Sequence, residues 1–361
     1  MIGRTLGLYL AGRFTRAVLS VFGTIFVLIY LIDFVETLRK AGDIAQATTL
    51  GIAALTFLRV PAVTEQILPF AMLGGAMFAF IGLTRKLELV VARSAGVSAW
   101  QFLTPPVLIA LVIGILSVTV YNPLSALMKQ KADSIEIGLF GRTSPSAGDT
   151  GLWIRQRGPD GQSILRAEQS SDRGRQLASV SAFVFDLDNR FLERIDAARA
   201  RLEANRWVLE EARVNIPGEE PRNVSVYHLS TFLLPEQVSQ SFVTPDAVPF
   251  WSLPEFSRRT EAAGLDGTVY ALRFQILLAR PLMFVAMVLI AACFSLRFFR
   301  IGGVARMVSG GVAAGFVLYV ATKLVSDLGG VGVLSAPVAA WGPAIVGSML
   351  GTLVLLHQED G

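Results

Sequence analysis

The sequence predicts an α-helical membrane protein in which six transmembrane helices, in two groups of three, flank an inserted all-β domain of jelly-roll-like type. Composition is the first observation behind this prediction. Of the 361 residues, 53% are apolar and 17% are charged, whereas soluble domains carry about 25% charged residues, and the mean hydropathy is +0.55. The second observation is six long apolar stretches, three early and three late. The third is a polar middle segment built of short alternating runs.

Charge and the rare residue types exclude several classes of protein. The net charge is +4 at pH 7, and this small, dispersed excess does not argue for nucleic-acid binding. Cys293 is the one cysteine, so neither a disulfide framework nor a cysteine-based metal site can form within one chain. His228 and His357 are the two histidines, which argues against a histidine-rich metal centre and against a Ser, His and Asp hydrolase.

The apolar stretches are each long enough for one membrane crossing, which needs about 20 residues. No small-residue cleavage pattern follows the first stretch, so we expect an uncleaved anchor and not a signal peptide. The predicted crossings run from Phe14 to Phe34, from Pro61 to Leu83, from Trp100 to Tyr121, from Leu272 to Phe294, from Met307 to Ser326 and from Ser335 to Leu356.

Basic residues in the short loops predict the orientation, because Lys and Arg are enriched on the cytoplasmic side. With six crossings, both termini are then expected in the cytoplasm and the long polar segment outside it. The sequence thus divides into helices one to three (1–121), a β domain with helical flanks (122–268) and helices four to six (269–361). The basic clusters are Arg4, Arg13 and Arg16; Arg85, Lys86 and Arg93; and Arg297, Arg300 and Arg306.

The middle segment has the pattern of an all-β domain. Turn residues from Gly158 to Gly161 separate the first two runs, as in a hairpin. Regularly spaced short strands favour a sandwich or jelly roll of about 100 residues. Helical flanks are expected at Pro123 to Ile137 and at Leu253 to Ala263, where Pro254 suits a first helical turn. The predicted strands are Leu152 to Arg157, Ser163 to Ala167, Ala178 to Asp186, Phe191 to Ala204, Trp207 to Ile216 and Asn223 to Leu229.

Three stretches carry a resemblance to a known family. They run from Asp33 to Gly42 at the end of helix one, from Glu88 to Gly96 in the second cytoplasmic loop, and from Gly151 to Trp153 at the start of the β domain. With the layout of three helices, a β domain and three helices, the chain resembles the LptF/LptG permeases over nearly its whole length. These are the transmembrane half of the ABC transporter that extracts lipopolysaccharide from the bacterial inner membrane.

The resemblance implies a set of partners. An LptF and LptG pair forms a cavity open to the outer leaflet, with helices one and five as lateral gates, and two copies of the LptB ATPase bind below. The periplasmic β domains pass lipopolysaccharide to LptC, whose anchoring helix can insert beside helix one. ATP and Mg²⁺ belong to the ATPase, and no cofactor is expected in this chain. The absence of any Gly-Lys pair agrees with this division, since a Walker A loop requires one.

Basic residues at the outer end of helix one are candidates for substrate contact. Arg39 and Lys40 are expected where a lipid A phosphate would lie, and Arg suits bidentate phosphate contact while Lys acts as a point charge. The alternative is ordinary snorkelling of flanking residues. The resemblance favours substrate contact, because the matching family positions are basic. It fails at Asp33, where the family example carries Lys, so no substrate-binding lysine is transferred there.

Further charged residues at membrane depth are candidates for a functional role, because burying a charge in the membrane is energetically costly. Lys323 is four residues before Asp327, which allows an intrahelical pair, and headgroup contact is the alternative. Arg280 before Pro281 is a second candidate for substrate contact. Arg59 and Glu65, on either side of Pro61, are interpreted as a pair.

The segment 84–94 is expected to be a cytoplasmic coupling helix with Thr84 as its cap. Leu87, Val90 and Val91 would form an apolar stripe, and Glu88 and Arg93 would supply charges for the ATPase groove. The alternative is a short interfacial helix that rests on the membrane.

Three functions remain open from the residues themselves. A lipid-transporting ABC permease subunit is the leading one. A secondary transporter would show inverted repeats, and the two halves have no detectable self-similarity. The third is a mechanotransmission protein that relays ATPase motion to the periplasmic domain without carrying lipid. Co-purification of lipopolysaccharide with the solubilised complex would favour the first.

Overall fold

A computed structural model describes residues 4–42, 48–140, 152–159, 161–171, 175–186, 190–232, 244–262, 267–296 and 304–360. It confirms six helical segments long and apolar enough to cross a membrane. The third segment is one helical run in which a π turn, Ser117–Tyr121, joins α4 to α5. The helices are α1 (Arg4–Lys40), α2 (Thr49–Arg85), α3 (Glu88–Ser94), α4 (Ala99–Leu116), α5 (Asn122–Phe140), α6 (Leu253–Ala262), α7 (Thr268–Ser295), α8 (Val304–Gly330) and α9 (Ala336–Asp360).

The second crossing begins earlier than predicted. α2 starts at Thr49, where the Thr48 side chain accepts a hydrogen bond from the Gly51 amide, and Pro61 lies inside the helix. Pro61 removes the amide donor to the carbonyl of Phe57, four residues earlier, and membrane helices tolerate prolines where neighbouring side chains support the local backbone. Thr64 Oγ1 lies 3.0 Å from the carbonyls of both Val60 and Pro61, and Tyr121 donates to the Pro61 carbonyl at 3.1 Å.

The helix predicted for residues 84–94 is shorter in the structure. α2 continues through Arg85 and α3 begins at Glu88, so Thr84 is not a helix cap. Its hydroxyl instead donates to the Phe80 carbonyl one turn earlier. The break falls at Leu87, whose φ of 59° is left-handed and cannot continue a right-handed helix.

The bundle packs around α2 and α7, and two helices remain largely uncovered. Small residues allow close contact between helices: a Cβ on Gly75 would lie 2.5 Å from Val18 Cα, and one on Gly114 would lie 2.5 Å from Pro281 Cα. In the most apolar 18-residue segments of α1 and α8, by contrast, only 6% and 11% of the residues are buried. These two helices therefore present apolar faces to whatever surrounds one chain.

The β domain is a six-stranded antiparallel sheet in the order β1 to β6. The predicted strands are all present, with somewhat different ends. Neighbouring strands in the sheet are also neighbours in sequence, so the described strands form a meander and lack the long crossovers of the expected jelly roll. The strands are β1 (Leu152–Gly158), β2 (Gly161–Ser171), β3 (Gln176–Phe185), β4 (Phe191–Glu203), β5 (Arg206–Asn215) and β6 (Arg222–Ser230).

Curling of this sheet explains how a meander encloses a core. Gln156 on β1 accepts hydrogen bonds from Trp207 Nε1 at 2.9 Å and from Thr231 at 2.8 Å, although β1 and β6 are at opposite ends of the strand order. Trp207 is completely buried, together with Leu165 and Leu209. The concave face of one curled sheet therefore replaces the second sheet of a sandwich.

Candidate functional site

A buried cluster of charges lies between α2 and α7. Glu65 is 2% exposed, and its Oε1 lies 2.8 Å from Nη1 of Arg280, which is 7% exposed. Arg273, two turns before Arg280 on α7, approaches the same oxygen at 3.2 Å and also contacts Asp246 at 3.0 Å. Two carboxylates thus balance two guanidinium groups, as buried charges require.

Hydrogen bonds complete the environment of the Glu65 carboxylate. Asn122 Nδ2 donates to Oε1 at 2.9 Å, and Ser125 Oγ donates to Oε2 at 2.5 Å. Arg280, predicted as a substrate contact, is therefore already engaged within the chain.

A cavity of about 230 Å³ adjoins the cluster between α2, α7, α8 and α9. Two of the predicted substrate contacts, Arg280 and Lys323, line it together with Arg273. The pair predicted between Lys323 and Asp327 is confirmed at 3.1 Å, with the two side chains 67% and 65% exposed. An ion pair this exposed is weak, so Lys323 can exchange its partner.

The other predicted substrate contacts, Arg39 and Lys40, do not line this cavity. Both are exposed in the last turn of α1. Lys40 Nζ forms an ion pair with Glu36 at 2.5 Å, one turn earlier. The basic rim at the end of α1 and the cavity are therefore separate features.

The predicted pair between Arg59 and Glu65 is wrong. Six residues in an α-helix turn through about 600°, which leaves the two side chains about 120° apart around the axis and on different faces. Arg59 instead forms an ion pair with Asp33 on α1, contacts Glu136 at 3.5 Å and donates to Thr37 at 3.1 Å. Asp33, where the family example carries Lys, thus has its own cation from α2.

The short helix α3 has an exposed apolar face. Leu87 is 57% exposed and Val91 is 66% exposed, while Leu89 belongs to the bundle core. Val90 and Arg93 lie within α3, but their side chains are outside the described part of the structure, as are Arg297 and Arg300 and the turn residues Gly151 and Asp160.

Glu88, at the start of α3, is held by α1. Arg13 Nη1 donates to both carboxylate oxygens, at 2.7 and 2.9 Å, and Tyr9 donates at 3.0 Å. Partial burial acts to raise the pKa of Glu88, but these hydrogen bonds outweigh it and hold the pKa below its ordinary value of 4.5. The charged form is therefore favoured at neutral pH.

The network around Glu65 and the contact between Arg13 and Glu88 were not predicted from the sequence. A signal was present for the first, since Glu65, Arg273 and Arg280 are isolated charges in apolar stretches, and such charges seek one another. Asn122 and Ser125 had no such signal. For metals, the described residues contain no group of three or more His, Cys, Asp or Glu side chains that could hold an ion.

Comparison with known proteins decides the family. The sequence profile described as Lipopolysaccharide export system permease LptF/LptG matches residues 8–357. The chain belongs to this LptF/LptG family. Among its relatives, the lipopolysaccharide export system permease protein LptG of Escherichia coli K12 is 25% identical over 315 residues, covering 84% of this chain and 86% of the relative. LptG of Haemophilus influenzae Rd is 25% identical over 372 residues, covering 98% and 96%.

Membership of the LptF/LptG family agrees with the resemblance found in the sequence, and the two relatives named are both LptG proteins. The family consists of transporter components and not of catalytic enzymes. With its six apolar helices, this LptF/LptG chain is a multi-pass membrane permease that carries a β domain between its third and fourth crossings.

Proposed function

We propose that this LptF/LptG chain extracts lipopolysaccharide from the outer leaflet of a Gram-negative inner membrane and passes it through its periplasmic β domain. The cavity between α2, α7, α8 and α9 is the observation that carries the proposal. Arg273, Arg280 and Lys323 line it with one positive charge more than the lining carboxylates of Glu65 and Asp246, and Asp327, which balances Lys323, lies outside the lining. Phosphate groups of an anionic lipid headgroup suit such a site, because Arg and Lys both bind phosphate in low-dielectric surroundings.

Lys323 is the member of the site that can respond to substrate. Arg280 is buried and committed to Glu65, so its charge sets the local potential without moving. Lys323 is exposed and, among the described residues, forms its ion pair with Asp327, and exchange of this weak pair for a phosphate costs little. Arg39 and Lys40 at the end of α1 would form an outer rim that attracts the headgroup first.

The uncovered helices support a partner permease. Exposed apolar side chains on α1, such as Leu31 and Val35, and on α8, such as Phe316 and Val317, would contact an LptF-like subunit, lipid or lipopolysaccharide. We propose that the two lateral gates open along α1 and α8. An LptC-like anchoring helix would lie beside α1.

Helix α3 supports docking to a separate ATPase. Leu87 and Val91 form an exposed apolar pair that an LptB-like dimer would cover, and ATP and Mg²⁺ would bind there and not in this chain. The contact between Arg13 and Glu88 puts the first half of α1 at the same end of the bundle as α3. This is the arrangement expected if the N-terminus is cytoplasmic.

Site-specific crosslinking tests the proposal. A photo-crosslinking residue at Thr322, which lines the cavity, should capture lipopolysaccharide in the assembled complex during ATP hydrolysis. The matched control is Met349, exposed on α9 and outside the cavity, where we expect no ATP-dependent adduct. Equal capture at both positions, or none at Thr322 while ATP is hydrolysed, would contradict the proposal. ATP-driven motion of the β domain without any adduct would instead support mechanotransmission.

A further inference from the structure

The β domain is joined to the bundle by two stems, and one asparagine connects them. The outgoing stem is the π turn Ser117–Tyr121 with α5, and the returning stem is the segment 244–252 before α6. Asn122, which is 1% exposed, accepts a hydrogen bond from the Phe250 amide at 2.9 Å through Oδ1. Its Nδ2 donates to Glu65 at 2.9 Å.

Additional contacts hold both stems to α2 and α7. On the outgoing stem, Ser125 donates to Glu65 at 2.5 Å. On the returning stem, Asp246 pairs with Arg273 at 3.0 Å and accepts from Gln66 at 3.2 Å. The Phe250 ring also stacks on Phe274 of α7, with centroids 5.1 Å apart. The outgoing stem is thus attached through Glu65, and the returning stem is attached to the same two membrane helices through Asp246 and Phe250 and to the outgoing stem through Asn122.

Burial makes this attachment stiff. A buried carboxylate that loses one partner cannot replace it with water, so breaking a single contact carries the desolvation cost of the group. Asn122, Glu65 and Arg280 are all below a tenth exposed. Movement of α2 relative to α7 would therefore be transmitted to both stems together, and not absorbed by one of them.

We propose that Glu65 is a positioning residue that fastens both stems of the β domain to α2 and α7 through its hydrogen bond with Asn122. Its role is to make the β domain follow the membrane helices. The expected effect on lipopolysaccharide transport rests on the proposed function. The expected effect on the position of the β domain relative to the membrane helices does not.

Distance measurements between spin labels test this geometry. The one native cysteine, Cys293, is buried, so cysteines introduced at exposed Arg199 on β4 and Val331 after α8 can be labelled selectively in the assembled complex. Asn122→Asp keeps an acceptor for the Phe250 amide but places a second carboxylate against Glu65. We expect a broadened or displaced distance distribution. Glu255→Gln on α6, which removes an exposed carboxylate from an i,i+4 pair, should leave the distribution unchanged.

The double variant Asn122→Asp with Glu65→Gln exchanges the amide and the carboxylate while keeping the net charge and one donor between them. It should restore the wild-type distribution, and this holds even when Asn122→Asp alone fails to fold. A folded Asn122→Asp chain with wild-type distances would overturn the proposal, and so would a double variant that remains displaced.

Transport supplies the second measurement. We expect Asn122→Asp to reduce lipopolysaccharide delivery to the β domain by about tenfold, the factor that follows from losing one charge-assisted hydrogen bond, with ATP hydrolysis retained. Restored distances without lipopolysaccharide transport by any variant, wild type included, would refute the proposed function and leave the positioning role intact.

Discussion

Arg13 and Glu88, one on α1 and one at the start of α3, form an ion pair at 2.7 Å at the end of the bundle where α1 begins. The pair joins the helix proposed as a lateral gate to the helix proposed to dock the ATPase. Glu88 was predicted from sequence to meet a basic residue of the ATPase, and that prediction remains untested. Within the chain its carboxylate already has a cation, so its first role is to position α3 against α1.

Charge reversal distinguishes these two roles of Glu88. Glu88→Lys places a cation beside Arg13 and should reduce recovery of the ATPase in a pull-down by about tenfold, since a charge-assisted contact contributes about 1.5 to 3 kcal/mol. Glu88→Ala should do less harm, because it removes an attraction without adding a repulsion. The β domain should remain folded in both variants.

Adding Arg13→Glu to Glu88→Lys restores the pair in reverse and should recover docking. Recovery would assign Glu88 to the contact within the chain. If the double variant still recovers less ATPase, Glu88 contacts the ATPase groove. Normal ATPase recovery by Glu88→Lys alone would show that α3 is not the coupling site.

The same pair predicts a pH dependence. The pKa of Glu88 is lower in the folded chain than its ordinary value of 4.5, and such a carboxyl contributes stability that is complete above the unfolded pKa and is lost as the pH falls through the folded pKa. The melting-temperature difference between wild type and Glu88→Gln should therefore stay constant from about pH 8 to about pH 5.5 and shrink only below 4.5. A difference that disappears near neutral pH would contradict this assignment.

Strand positions and membrane crossings could be predicted because they depend on local pattern. β4 was expected from Phe191 to Ala204 and runs Phe191–Glu203, since alternation of buried and exposed residues marks a strand directly. The predicted ends of the helices were less accurate, because the helices continue beyond the ends of the apolar stretches that predicted them. α1 extends through Lys40, where the charged residues have reached the interface.

Contacts between distant residues could not be predicted from local pattern. Glu65 was assigned to Arg59, its neighbour in sequence, but its ion-pair partner Arg280 is 215 residues away. The curled meander was missed for a similar reason, since nothing local states that Gln156 on β1 meets Trp207 on β5. The candidate residues Arg280 and Lys323 were identified only because a charge in an apolar membrane helix is energetically costly. That they line the same cavity could be seen only in the structure.

Arg280 should be important for stability. Arg280→Met leaves the Glu65 carboxylate, 2% exposed, with Arg273 as its remaining cation, and should destabilise the fold by about 3 kcal/mol. Adding Glu65→Gln removes the uncompensated charge and should recover part of that loss. Thermal unfolding in detergent measures both. Arg259→Met, from an exposed pair, is the control and should change stability by less than about 1 kcal/mol; an equal effect from both arginines would contradict the prediction.

Lys323 should affect substrate contact and not stability. Lys323→Ala removes an exposed ion pair and should change the free energy of unfolding by less than about 1 kcal/mol, yet lower lipopolysaccharide crosslinking at Thr322. Asp327→Asn breaks the same pair but frees Lys323, so crosslinking there should be unchanged or higher. Equal losses in both variants would show that the ion pair itself, and not a headgroup contact, matters.

The basic rim at the end of α1 provides the last prediction. Arg39 and Lys40 are exposed, and Lys40 pairs with Glu36 one turn away, which is itself 47% exposed, so both cations are available to an anionic headgroup. Reversing both to Glu replaces attraction with repulsion at the outer rim and should reduce lipopolysaccharide loading by about tenfold. Complex assembly should be intact, because α3 and the Arg13 contact lie at the opposite end of α1.

Arg258 and Arg259 offer a matched control for this reversal. They are also adjacent and exposed, and Arg259 has its own i,i+4 partner in Glu255, but they lie on α6 beside the returning stem and not on α1. Reversing them should leave loading unchanged when lipopolysaccharide is quantified in the purified complex before ATP is added. Equal loss in both double variants would mean that loading responds to total charge on this side of the membrane, and full loading of the Arg39 and Lys40 variant would assign those residues to snorkelling at the interface.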